Sequence, residues 1–148
     1  MNDANCIFCR IVRGQAEASL VYEDDVVVAF LDSHPVTEGH TLVVPRRHAP
    51  DLAALDQDSG AGLMAAARLV ALALRTGPQA AQGVNLHLAD GAAAGQTVGH
   101  THVHVIPRYA GDGFGFRIPF GGRPTPDRRS LDDTAARLKQ ALPASSPS

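Results

Sequence analysis

Three histidines, His100, His102 and His104, recur at every second position within the stretch Gly95 to Arg108, which reads Gly-Gln-Thr-Val-Gly-His-Thr-His-Val-His-Val-Ile-Pro-Arg. Successive side chains of a β-strand point to opposite faces, so the alternation predicts a strand with one imidazole face and one apolar face carrying Val103 and Val105. The imidazoles would stand roughly 7 Å apart in a row. A lone strand histidine is ordinarily a satisfied polar or rim residue. Three in a row point to a metal site or to imidazole catalysis. Three in line converge poorly on one ion, so at most two would share a metal.

Other chemistry-bearing residues are scattered along the chain. Gly95-Gln96-Thr97-Val98-Gly99 combines small residues with an amide and a hydroxyl, which suits close backbone approach to an anion. Alone it reads as a flexible turn; beside the histidine row it can supply donors to a phosphate. Cys6 and Cys9 form a C-x-x-C, half of a zinc site, with a redox pair or two small buried residues as the alternatives. No thioredoxin-like βαβ pattern surrounds them. Asp32 ends an apolar run before Pro35 and reads as a turn residue or a ligand. His48 follows Arg46 and Arg47 and reads as a solvated basic residue or a ligand.

The elements that must position these groups follow from periodicity. Short β-rich runs are expected at 20–23, 26–31 and 40–45, the first two joined by a hairpin at Asp24-Asp25, with further strands at 83–90 and 100–106. In the fourth strand Asn85 and His87 alternate against Val84, Leu86 and Leu88, placing Asn85 and His87 toward the histidine cleft or, for His87, on a polar surface. A helix capped at Asp58-Ser59 is expected to run to about Arg75, with Leu63, Ala67, Val70 and Leu74 as its buried stripe. Ser130 is the expected cap of a last helix, Leu131 to Leu142, carrying Ala135, Leu138 and Leu142 on one side. A Gly-rich loop, Tyr109 to Phe116, and a Pro-rich stretch, 119–126, separate the fifth strand from that helix. The expected architecture is therefore α+β, a five-stranded antiparallel sheet with two main helices. It occupies a single domain over 1–142, and 143–148 is expected to be a disordered tail.

Composition narrows the classes. At 148 residues, 45% apolar and 19% charged, the chain is sized for one globular domain with a real core. With 13 basic against 15 acidic side chains, no global field draws in nucleic acid or a membrane surface, and any phosphate binding must be local. No apolar run is long enough to span a bilayer and none follows a basic start, so a cytoplasmic location is expected.

His100-Thr101-His102-Val103-His104-Val105-Ile106 resembles the His-φ-His-φ-His-φ-φ signature of the histidine triad family, and Gly95-Gln96-Thr97-Val98 resembles its lead-in. Thr101 stands where the signature has an apolar residue, a mild departure because Thr suits a strand. The resemblance extends to Phe30-Leu31-Asp32 followed by His40. It implies that Asp32 accepts the ribose hydroxyls of a nucleotide, for which a carboxylate offers two acceptor oxygens. It further implies that Ile7, Phe8, Ile11, Phe30 and Leu31 surround the base, and that His40 supports the triad from a neighbouring strand. For bacterial-type members it implies a structural zinc held by Cys6, Cys9, His48 and His100, a closed Cys₂His₂ set. Many members carry Asn or Gln shortly before the lead-in, where this chain has Ala89 and Asp90. That difference bears on affinity and leaving-group preference, not on the nucleophile.

The implied chemistry is nucleotidyl transfer to His102 followed by hydrolysis. The substrate would be an adenine or guanine nucleotide whose α-phosphate carries a leaving group. By the same resemblance His102 Nδ1 would keep its proton and donate a hydrogen bond to the His100 carbonyl, leaving Nε2 to attack. Gln96, Thr97 and a protonated His104 would stabilise the phosphoryl oxygens, and Asn85 faces the same cleft. The resemblance implies no redox cofactor and no magnesium, and it implies a homodimer. Two other classes compete: a nucleotide-binding regulatory module with weak catalysis, and a zinc protein that acts through interaction. Within the enzyme class a phosphorylase is a further alternative. Dinucleoside polyphosphates, nucleoside phosphoramidates and aminoacyl adenylates all share the half that these motifs read.

Overall fold

The computed structural model describes residues 3–115 and 124–143; Phe116, the segment 119–123 and the tail 144–148 lie outside the described residues. The described residues fall into two compact units, 3–114 and, beyond it, Gly115 with 124–143. The first contains a 3₁₀ turn (Asp3–Asn5), α1 (Ile7–Val12), β1 (Leu20–Glu23), β2 (Val27–Leu31), β3 (Thr41–Pro45), α2 (Gln57–Thr76), β4 (Gly83–His87), a 3₁₀ turn (Ala92–Ala94) and β5 (Val103–Arg108). The second contains α3 (Arg128–Ala141). The five strands form one antiparallel sheet in the order β1-β2-β3-β5-β4.

The side-chain alternation of the inner strands sorts the core into two layers. Val27, Ala29, Val43, Val103 and Val105 face α2, which buries Leu63, Ala66, Ala67, Val70 and Leu74 against them. The expected helix stripe is thus the buried one, and truncating Leu63 to Ala would cost about 2–5 kcal/mol. Val28, Phe30, Leu42 and Val44 point to the other face, where α1 covers them with Cys6, Phe8 and Cys9. This second layer is thinner, because a helix of six residues cannot cover five strands. The uncovered part of that face is where the histidines lie.

Several boundaries differ from expectation for identifiable reasons. β5 starts at Val103, so His100 and His102 precede the strand. The backbone there has partners outside the ladder: Thr101 N–H donates to the Ala49 carbonyl at 2.6 Å and His100 N–H to the Val98 carbonyl at 2.8 Å. β4 ends at His87, short of Asp90. Asp90 instead accepts from Leu52 N–H at 2.9 Å, tying down the loop before α2. The cap of α2 is Asp56, not Asp58 or Ser59; its carboxylate accepts from the backbone and the hydroxyl of Ser59. In α3 the cap is Asp127, which accepts from Ser130 N–H at 2.7 Å. Both helices use D-x-x-S, with the serine as third helical residue and not the cap. Gly39 enters β3 at φ +93, and a Cβ there would lie 2.8 Å from Leu74. Only glycine lets the backbone turn this tightly against α2 immediately before His40.

Candidate functional site

A cleft of about 1150 Å³ opens on the face of the sheet opposite α2. It brings together the expected residues Ile7, Phe8, Ile11, Phe30, Leu31, Asp32, Thr97, His102 and His104, and adds Glu17, Ser19, Ser33, His34, Leu42 and Val98. One end is apolar. Phe8 and Phe30 pack with ring centroids 5.6 Å apart, and the Phe8 ring edge also meets His102 at 5.1 Å. The other end is a cluster of imidazoles.

Their hydrogen bonds assign the tautomers. His102 is 5% exposed, and its Nδ1 lies 2.7 Å from the His100 carbonyl oxygen. A carbonyl only accepts, so Nδ1 carries the proton and Nε2 keeps its lone pair. Val36 N–H donates to His40 Nδ1 at 3.2 Å, so the His40 proton sits on Nε2. That Nε2 donates to His104 Nδ1 at 2.9 Å. His104 therefore presents Nε2–H as a donor while neutral. Donation by His104 therefore does not depend on its being charged.

Burial supports the neutral forms. It holds His102 below the ordinary histidine range, partly offset by the bond to the His100 carbonyl and by Asp32. His104 is pushed down to about 4 by burial and by the adjacent His102 and His40. His40 is also lowered by burial, against the pull of Asp32 at 3.6 Å. Asp32, His40 and His104 lie close enough to suggest a metal set. The His40 tautomer argues for a relay instead, because its Nε2 lone pair is occupied by a proton.

Behind the cleft, Cys6, Cys9, His48 and His100 place four donor atoms within 4.8 Å of one another. His100 Nδ1 lies 3.4 Å from both thiols and 3.3 Å from His48 Nδ1; Cys9 Sγ lies 3.2 Å from His48 Nδ1. The other ring nitrogen of His100 donates to the Pro45 carbonyl at 3.0 Å, which fixes its tautomer. Both cysteines are buried and free of disulfide. The group could hold a metal ion. The row of histidines is thus divided: His100 turns to the thiols, while His102 and His104, with ring centroids 4.9 Å apart, turn to the cleft.

Two expected site residues sit differently, and the one departure from the signature finds its reason. Gln96 uses its amide within the loop, donating to the Pro50 and Val98 carbonyls and accepting from Gly91 N–H. Asn85 accepts from Arg108 at 2.5 Å rather than lining the cleft. Thr101 is 1% exposed, and its hydroxyl donates to the Ala49 carbonyl at 3.0 Å, which explains how a polar residue fits an apolar position. Sequence reasoning missed Arg108 as a hub: it forks onto Asp112 with two bonds of 2.7 Å, donates to the Phe114 carbonyl and stacks on the Phe114 ring. The signal was an Arg four residues before an Asp in a Gly-rich loop, which is common in loops of no special purpose.

The HIT domain model matches residues 13–111. A HIT-like protein of Borreliella burgdorferi is 45% identical over 114 residues, covering 76% of this chain and 82% of its own. The chain belongs to the HIT family. Members are in general nucleotide hydrolases or transferases. A Zn-bound HIT-family protein from Mycobacterium smegmatis superposes with a TM-score of 0.74 at 40% identity, covering 95% of this chain and all of that one. A histidine triad nucleotide-binding protein from Candida albicans matches at a TM-score of 0.80 and 26% identity, covering 93% and 96% of the two chains. The five-stranded antiparallel sheet with two main helices is the expected HIT architecture. No helix among the described residues is long and apolar enough to cross a membrane.

Proposed function

We propose that this HIT protein is a nucleotide hydrolase that transfers the nucleotidyl group of an adenine or guanine nucleotide to His102 and then to water. The observation that carries the reading is the 2.7 Å bond from His102 Nδ1–H to the His100 carbonyl, which leaves Nε2 bare at the cleft. Nε2 attacks the α-phosphorus, the bond from phosphorus to the leaving group breaks, and the leaving group departs with the bonding pair. Water then attacks the nucleotidyl-histidine, releasing nucleoside monophosphate and a proton and restoring the imidazole.

The remaining roles follow from placement. His104 Nε2–H donates to a phosphoryl oxygen without first being charged, its orientation set by His40. The base lies between Ile7, Phe8, Ile11, Phe30 and Leu31, and the ribose hydroxyls meet Asp32, all cleft-lining residues. Asp32 Oδ1 already accepts from His34 N–H at 2.8 Å, which holds the carboxylate in place. Thr97 lines the cleft, whereas Gln96 shapes the phosphate loop from behind.

Zinc fits the thiol and imidazole set. Tetrahedral zinc with ordinary bond lengths separates two nitrogens by about 3.3 Å and a nitrogen from a sulfur by about 3.6 Å. The observed separations of 3.2–3.4 Å are near these values. Among the described residues, His48 Nε2 is buried without a hydrogen-bond partner. Bound at the four donor atoms, zinc supplies a structural cross-link between α1, the loop after β3 and the His100 bend. A homodimer is proposed on family resemblance, to be checked by light scattering of the eluted protein.

The test is release of nucleoside monophosphate by wild type and His102→Ala from adenosine phosphoramidate, diadenosine tri- and tetraphosphate and an aminoacyl adenylate. Release by wild type that disappears in the variant supports the nucleophile. No release from any substrate, with AMP binding intact, overturns the hydrolase reading in favour of a nucleotide-binding module.

A further inference from the structure

The strand register defines a line across the cleft face. Leu20 pairs with Phe30, Phe30 with Leu42, Leu42 with His104, and His104 with His87. Directly paired residues of antiparallel strands share a face, so these side chains form one row from β1 to β4. The row is apolar at Phe30 and Leu42 and imidazole at His104 and His87. A nucleotide with its base over Phe30 and Leu42 and its α-phosphorus at His102 has only one direction in which its leaving group can extend along the row. That direction is toward β4.

His87 stands at that end. Its ring centroid lies 5.7 Å from that of His104, at an interplanar angle of 41°. It is half-buried, so a ligand can reach it. The apolar wall of the cleft is formed on the opposite side of His104, by α1, β2 and β3. The nucleoside half of a substrate therefore makes no use of His87.

We propose that His87 is a leaving-group residue: its imidazole donates a hydrogen bond to a phosphate oxygen beyond the α-phosphorus and so favours substrates whose leaving group is an anionic phosphate chain. The inference rests on the nucleotide reading of the cleft but not on turnover. An imidazole donates through N–H whether neutral or charged, and a phosphate chain offers acceptors on every oxygen. A small amine leaving group reaches no further than His104 and has no matching acceptor.

The experiment is calorimetric titration of AMP, ADP and a methylene-bridged, non-hydrolysable diadenosine tetraphosphate into wild type, His87→Ala and His87→Gln. The expected result is that His87→Ala weakens the bridged analogue by about tenfold, the scale of one charge-assisted hydrogen bond. AMP should stay within about twofold of wild type on the same reasoning, and His87→Gln, which retains a donor, should recover part of the loss. Equal weakening of AMP and the analogue would overturn the proposal and make His87 a support for His104. So would unchanged affinity for the analogue. The hydrolase reading fails separately, if wild type binds the natural dinucleotide without releasing AMP. A wild type that binds neither AMP nor the analogue would remove both.

Discussion

Replacing Cys9 by Ser tests the link from metal to fold to nucleophile. Cys9 Sγ is the thiol that approaches both histidines, at 3.2 Å from His48 Nδ1 and 3.4 Å from His100 Nδ1. A serine hydroxyl is shorter and a poor zinc ligand, so one of the four proposed ligands would be lost. Structural zinc contributes about 10–16 kcal/mol in small Cys/His sites, so one ligand represents about 3–4 kcal/mol. For a chain of this size each kcal/mol moves the melting temperature by about 2–4 °C, which predicts a fall of about 10 °C. Activity should fall as well. In the proposed site His100 supplies both a zinc-ligating nitrogen and the carbonyl that holds the His102 proton, so loosening its ring would loosen the proposed nucleophile. A kcat loss of about 10–100-fold is the usual consequence of disturbing such a support. KM should rise too, because α1 carries Phe8 of the cleft wall between the two cysteines. The assay combines metal content by mass spectrometry, thermal unfolding with and without chelator, and steady-state kinetics. The reasoning is refuted if protein produced with ample zinc carries none, or if Cys9→Ser keeps one zinc per chain and the wild-type melting temperature.

Further outcomes follow from single contacts. Thr101→Val removes a hydroxyl whose acceptor, the Ala49 carbonyl, keeps its bond from Thr101 N–H, so denaturant unfolding should show a change of no more than about 1 kcal/mol. Gly39→Ala forces a side chain onto positive φ and against Leu74; a loss of about 1–3 kcal/mol is expected in the same assay, with reduced activity from displaced His40. His104 has a folded pKa of about 4 against an ordinary 6.5, so the unfolded chain binds the extra proton. Its contribution is then present above pH 6.5 and lost as pH falls toward 4, amounting to about 2–3 kcal/mol. Wild type should lose that much more stability than His104→Asn between pH 7 and pH 4.5, and parallel pH curves would contradict the assignment.

Much of the fold was legible from local pattern. Period-two alternation located β1 to its observed ends and β2 and β3 to within a residue, and the stripe Leu63, Ala67, Val70 and Leu74 identified the buried face of α2. These are short-range consequences of side-chain direction, which the sequence carries directly. Helix caps were misplaced by two or three residues at both main helices because Asp and Ser each suit a cap, and only the realised bond separates them.

The residue types at the cleft were also present in the sequence: three alternating histidines, an Asp, a C-x-x-C and a distant histidine. Spacing alone did not give their division of labour, which came from the family resemblance. Alternation put His100, His102 and His104 on one equal footing, whereas the bend before β5 turns His100 toward Cys6 and Cys9 and leaves the other two facing the cleft. The tautomers of His40 and His104 depend on Val36, which meets His40 only through the turn between β2 and β3. Likewise Asn85 is held by the Arg108 side chain, two residues beyond its register partner Ile106, and His87 is the register partner of His104. Composition and spacing determine which chemistry the chain can perform. Contacts realised in the fold determine which nitrogen holds each proton, some local, as His102 to the His100 carbonyl and Val36 to His40, and some between distant segments, as His40 to His104 and His100 to Pro45, because a hydrogen bond is set by the partner that the backbone path brings within reach.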